Sequence, residues 1–66
     1  MTRKDAFWAA YHTARKTRRT QSVIATKDGS NYQYFEYQGH AYVGFIRNGW
    51  VEIVRYDAEG VQVYAS

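Results

Sequence analysis

The sequence contains no cysteine and no proline. Without cysteine, neither a disulfide framework nor a thiolate zinc site can supplement the core, and a reducing compartment, the cytoplasm, is the expected home. No apolar run approaches the roughly 20 residues that cross a bilayer, so no membrane association is predicted. The basic N-terminal segment lacks a continuous apolar stretch, and Trp8, Tyr11 and His12 interrupt any reading of it as a signal peptide. An Arg-rich transit peptide over residues 3–19 fits only slightly better, because Asp5 and the abrupt passage into strands oppose it. Low-complexity tracts, Ser/Gly linkers and internal repeats are also missing, which excludes a solenoid.

Signatures of chemistry are equally sparse. The two histidines, His12 and His40, have no spacing that builds a metal site. There is no Gly-rich phosphate loop, nucleophile elbow or Walker pattern. Glu36 and Glu52 share a face in the strand register that the turns imply, yet their backbones lie roughly 9 Å apart across the sheet and roughly 13 Å along it. That is too far for a hydrolytic carboxylate pair, which needs roughly 5 to 9.5 Å between carboxyl groups. The expectation is a protein that is not an enzyme, with no cofactor, no metal and no small-molecule substrate.

What is present is a short chain with uneven charge. Its 66 residues can bury only about 60% of the surface exposed on unfolding, so one domain over residues 1–66 is expected and oligomerisation is a natural supplement. Residues 1–19 hold six Lys/Arg against one Asp, a net +5, whereas residues 20–66 hold three against five, a net −2. A cationic element is therefore mounted on a mildly acidic body.

Thr2 followed by Asp5 is a helix start, and Phe7, Ala10, Tyr11 and Ala14 recur at helical spacing, predicting a helix over 4–18. Arg15, Lys16, Arg18 and Arg19 crowd its last turn, where the helix dipole favours cations. After Thr20 the period changes to two and β-branched and aromatic residues dominate. Five strands fit, over 21–27, 31–37, 40–47, 50–56 and 61–65, separated by Asp28-Gly29-Ser30, Gln38-Gly39, Asn48-Gly49 and Asp57-Ala58-Glu59-Gly60. The predicted class is α+β, with one N-terminal helix packed on a curved five-stranded antiparallel meander sheet.

Registers taken from those turns divide the strands into two faces. One carries Val23, Ala25, Phe35, Tyr42, Gly44, Ile46, Val51, Ile53, Val63 and Ala65, and is expected to be the core beneath the helix. The other carries Tyr32, Tyr34, Val43, Phe45, Trp50, Val54, Tyr56 and Tyr64, interrupted by Glu36 and Glu52. A sheet that curls could fold these aromatics over one another. Alternatively they form a rimmed apolar patch of the kind that marks an interaction site. On that reading Tyr32, Tyr34, Phe45, Trp50, Tyr56 and Tyr64 engage a protein partner or a second copy of the chain, as in accessory or inhibitory proteins of the phage and plasmid type.

The second function class is nucleic-acid binding by the helix alone, to a duplex, through Arg3, Lys4, Arg15, Lys16, Arg18 and Arg19. Six phosphate contacts would make log affinity fall with log salt at a slope near about −5. Against a single-strand binder, which would stack bases on the aromatic sheet beside a positive groove, stands the expectation that the basic helix and the stacking aromatics occupy opposite sides of the domain. The plain alternative for the cluster is a solvated helix end that complements the dipole.

Overall fold

The computed structural model describes residues 1–39 and 48–65. Helix α1 spans Arg3–Thr17, and four strands follow: β1 Gln21–Thr26, β2 Tyr32–Glu36, β3 Trp50–Tyr56 and β4 Gln62–Ala65. The domain is α+β, one helix on an antiparallel sheet. Among the described residues no helix is long and apolar enough to cross a membrane.

The helix begins where the cap predicts. Thr2 is extended (φ −75°, ψ 165°), and its hydroxyl accepts from the Asp5 backbone N–H at 3.1 Å, satisfying one of the orphan donors of the first turn. It ends one residue earlier than expected, because Arg18 turns into the left-handed region at φ 59°, ψ 34°. Ala6, Ala10 and Ala14 recur every four residues along the inner face, and each is fully buried. Such small side chains bring the helix backbone close to the sheet.

A curved five-stranded meander is not what the described residues show. Four strands are ordered β2-β1-β3-β4, so β1, an edge in a meander, is instead the centre of the sheet. It pairs antiparallel with β2 on one side and with β3 on the other, and Gln21 to Ala25 are buried without interruption. Val23 and Ile24 are the largest apolar side chains in that run, and full burial of each contributes about 2 kcal/mol. The strand expected over 40–47 lies outside the described residues.

The expected division of faces is also corrected, and the cause is one residue of turn. In β1–β2, Val23 pairs with Tyr34 and Ala25 with Tyr32, while Ser22 pairs with Phe35. The loop between them therefore holds Lys27 to Ser30, one residue more than Asp28-Gly29-Ser30. A one-residue slip moves every side chain to the other face. The longer loop is fixed by Asp28, whose carboxylate accepts from the Ser30 backbone N–H at 3.0 Å and from the Thr26 and Ser30 hydroxyls at 2.7 and 2.8 Å.

A second shift occurs in β1–β3. Val23 pairs with Val54 but Ile24 pairs with Glu52, leaving Ile53 as the extra residue of a bulge. Glu52 and Val54 thus lie on opposite faces despite their even spacing. With Glu36 opposite Gln21, and Glu52 opposite Ile24, the two glutamates are on opposite faces as well.

The core beneath the helix is built from Ala6, Ala10, Val23 and Val54, with Phe7, Tyr32, Tyr34, Ile53 and Tyr56 packed against it. Val23 and Ile53 are where the sequence puts them. Tyr32, Tyr34, Val54 and Tyr56, expected to face outward, are beneath the helix, and Phe35 is on the other side. A short helix can cover tyrosines because its own inner surface is alanine, and the large rings fill the space those methyl groups leave. Tyr11 meets Tyr56 edge to face at 5.8 Å, and burial pushes the Tyr56 hydroxyl above its ordinary pKa while the charge on Arg3 pulls it down.

Candidate nucleic-acid interface

The outer face of α1 follows from its inner one. If every fourth residue from Ala6 faces the sheet, then Lys4, Trp8, His12 and Lys16, also four apart, line a stripe that faces solvent. Trp8 keeps 64% of its surface exposed in the middle of this stripe. Its ring lies 4.2 Å from that of His12, tilted by 45°. Tyr11 touches the other side of His12, edge to face at 5.1 Å. An indole and an imidazole are thus presented outward between two lysines.

The expected cationic residues, Arg3, Lys4, Arg15, Lys16, Arg18 and Arg19, are all exposed. Their occupations differ. Arg3 sits over the Phe7 ring at 4.7 Å. Arg19 pairs with Glu36 at 3.4 Å, an exposed contact worth about 0–1 kcal/mol. Arg15 donates to the Tyr11 hydroxyl at 3.0 Å. Lys4, Lys16 and Arg18 make no ion pair among the described residues.

Arg15 and Lys16 stand in the last turn of α1, where the helix dipole favours cations. At the C-terminal end of α1 the side chain bonded to a helix carbonyl is that of Thr17, whose hydroxyl donates to Thr13 O at 2.7 Å. Arg18 occupies the position where glycine is favoured, and a non-glycine residue in this conformation costs about 1 kcal/mol. Strain of that kind, in an exposed cation, is an observation from which a functional role can be argued.

His12, Arg15, Lys16 and Arg18 line an open cleft of about 430 Å³, closed on its far side by Glu59. The wall carrying Glu59 is the turn between β3 and β4, pressed against the helix at Gly60. A side chain at Gly60 would bring its Cβ within 2.7 Å of the Tyr11 ring and 3.0 Å of Arg15, and φ there is +84°. Because His12 both lines the cleft and touches Trp8, the cationic hollow and the exposed ring are contiguous.

Of the six aromatics expected to bind a partner, the five among the described residues are divided between the two faces of the sheet. Tyr32, Tyr34 and Tyr56 are half-buried beneath the helix. Trp50 opens β3 opposite Thr26. Tyr64 is 40% exposed on the other face of the sheet, opposite Arg55. Phe45 lies outside the described residues, as does His40.

That other face carries a second polar constellation. Glu52 is buried, accepts from Ser22 Oγ at 2.5 Å, and receives both Nε and an Nη of Arg55 at 3.0 and 2.6 Å. The Arg55 guanidinium lies 3.9 Å from the Tyr37 ring centre and 5.1 Å from that of Tyr64. A buried carboxylate held by three donor groups in this way is a structural clamp. Among the described residues no group of three or more His, Cys, Asp or Glu side chains could hold a metal ion.

Trp8, His12 and Glu59 are the members of the site that sequence reasoning passed over. The signal was available, since Lys4, Trp8, His12 and Lys16 share one four-residue spacing opposite the alanines. No protein family, curated protein or solved structure matches the chain.

Proposed function

We propose that the protein is a small non-catalytic module that binds nucleic acid through the outer face of α1, and that it works in the cytoplasm. The observation that carries this reading is the union of Trp8, His12 and the cations of α1 on one exposed surface, contiguous with the cleft. Cations on a rigid helix neutralise phosphates and release counterions, and this term supplies most of the affinity of non-specific nucleic-acid binding. The separation of aromatics and cations onto opposite sides of the domain, expected for the sheet, does not apply to Trp8.

The test is a salt titration of binding to a labelled oligonucleotide. Four phosphate contacts, from Lys4, Arg15, Lys16 and Arg18, give a slope of log affinity against log salt of about −3 to −4. Replacing all four by Gln should abolish binding with the fold retained. A flat salt dependence, or no binding at about 50 mM salt, rejects the reading.

A second reading, protein binding or self-association, is favoured by β4 and the residue before it. Val61, Val63 and Tyr64 are 53%, 53% and 40% exposed, which is unusual density for apolar groups on four successive residues. Sedimentation equilibrium of the protein and of a Val61→Thr, Val63→Thr variant checks it. A mass that is monomeric in both removes self-association.

A further inference from the structure

We infer that the nucleic acid bound by this surface is single-stranded, with the Trp8 indole stacking on an unpaired base and the cleft beside His12 taking the adjacent phosphate. The inference rests on the nucleic-acid reading and narrows it. Two observations favour a single strand over a duplex. First, a helix that reads a duplex inserts hydrogen-bonding side chains into the major groove, and Asn, Gln and Arg facing base edges are the usual readers. Helix α1 has no Asn or Gln in its Arg3–Thr17 span to read adenine, and although Arg3, Lys4, Arg15 and Lys16 could read guanine, its central outward residue is a tryptophan, which reads no base edge. Second, that indole is 64% exposed and stands beside the His12 ring, with the ring centres 4.2 Å apart and tilted by 45°. A flat, exposed ring beside uncompensated cations is the arrangement by which single strands are held, with stacking and backbone neutralisation side by side.

The dimensions agree. From Lys4 to Arg18 the helix runs about 21 Å at about 1.5 Å per residue, the length of about six stacked nucleotides at about 3.4 Å each. Base stacking is tolerant of sequence because every base has a π face, so little preference among sequences is expected. Glu59 is the acidic side chain lining the cleft, and it repels a phosphate there. Its removal should tighten binding to every polyanion, whereas loss of Trp8 should weaken binding only to strands with accessible bases.

The experiment compares four ligands at one salt concentration by anisotropy and tryptophan quenching: a mixed-sequence single-stranded DNA, the RNA of the same sequence, the DNA duplex, and heparin. Single strands should bind about 10-fold more tightly than the duplex, with affinity rising up to about six nucleotides and levelling thereafter. Trp8→Ala should lose about 10-fold on single strands and little on duplex or heparin, while Trp8→Phe keeps most of the affinity. Lys16→Gln with Arg18→Gln should weaken all four ligands alike, and Glu59→Gln should strengthen all four. Equal affinity for duplex and single strand, with Trp8→Ala without effect, overturns the single-strand inference and leaves the nucleic-acid reading standing. Absence of binding to all four ligands overturns both. Thermal melting of Trp8→Ala confirms that an exposed side chain was removed from an intact fold.

Discussion

On the helix side of the sheet, Val23 and Val54 meet Ala6, Ala10 and three tyrosines, and among the described residues no charged group is buried there. On the opposite side, Ser22, Glu52 and Arg55 form a hydrogen-bonded ion pair between aromatic rings. The first face tolerates any apolar set of suitable volume. The second depends on individual atoms, since a buried charge that loses its partner has no solvent to replace it. The difference explains why the outer surface of α1 is open to carry charge. The helix is held by small, neutral contacts on one side and contributes nothing to the polar clamp on the other.

The largest expected effect comes from breaking the clamp. Glu52→Ala leaves the Arg55 guanidinium, whose side chain is only 21% exposed, without its carboxylate and should cost about 3 kcal/mol in urea unfolding. A double change of Glu52 to Leu and Arg55 to Met should recover much of that, because replacing a buried pair by apolar groups is often neutral. If the single change costs no more than about 1 kcal/mol, the two faces are held alike and the comparison fails.

On the helix side the sensitive change is an addition of volume. Ala10 is completely buried between Val23 and Val54, so Ala10→Leu must push the helix off the sheet or force strained rotamers, at about 2 kcal/mol. Trp8→Leu, on the outward face of the same helix, should change stability little. Equal losses from the two would mean that the outward stripe is packed after all.

Arg18→Gly should separate stability from binding. Glycine is relaxed at φ 59°, so unfolding should become harder by about 1 kcal/mol. At the same time one cation leaves the cleft, and the salt slope for nucleic acid should fall by about 0.7 to 0.9. A variant that gains stability and keeps its affinity would take Arg18 out of the interface.

Much of the architecture could be read directly. The Thr2 cap, the helix, the antiparallel strands and the exposed cations follow from spacing and residue type. The faces could not be, because they hang on two single-residue decisions. One is a loop of four residues where three also fit the turn signal Asp28-Gly29-Ser30. The other is the bulge at Ile53, which breaks the alternation that put Glu52 and Val54 together. Neither leaves a mark on period-two patterning, and a slip at either exchanges the buried and open sets. Strand order escaped for a different reason. Short turns favour neighbouring strands, but β1 is the most uniformly buried segment, and burial on both faces is the property of a central strand. The candidate site was half legible: its cations stand out as a cluster, whereas Trp8 is one aromatic in a chain whose strands hold many more.

The smallest effect concerns the turn that decides which face is which. Hydrogen bonds from the Ser30 backbone N–H and the Thr26 and Ser30 hydroxyls lower the Asp28 carboxyl from its ordinary 3.8 to about 2. Its folded-state pKa is therefore below its unfolded one, so the stabilisation is fully present above about pH 4 and is lost as the pH falls toward about 2. Asp28→Asn keeps an acceptor but cannot titrate in that window. The difference in urea midpoint between the native chain and the Asp28→Asn variant should accordingly narrow on acidification from about pH 4 to about pH 2, whatever the other carboxylates contribute to both. Because the group is fully exposed, the change should be smaller than any of the three above. Midpoints that stay parallel through the window would mean that the loop length, and with it the assignment of tyrosines to the helix side, is set by the strands and not by Asp28.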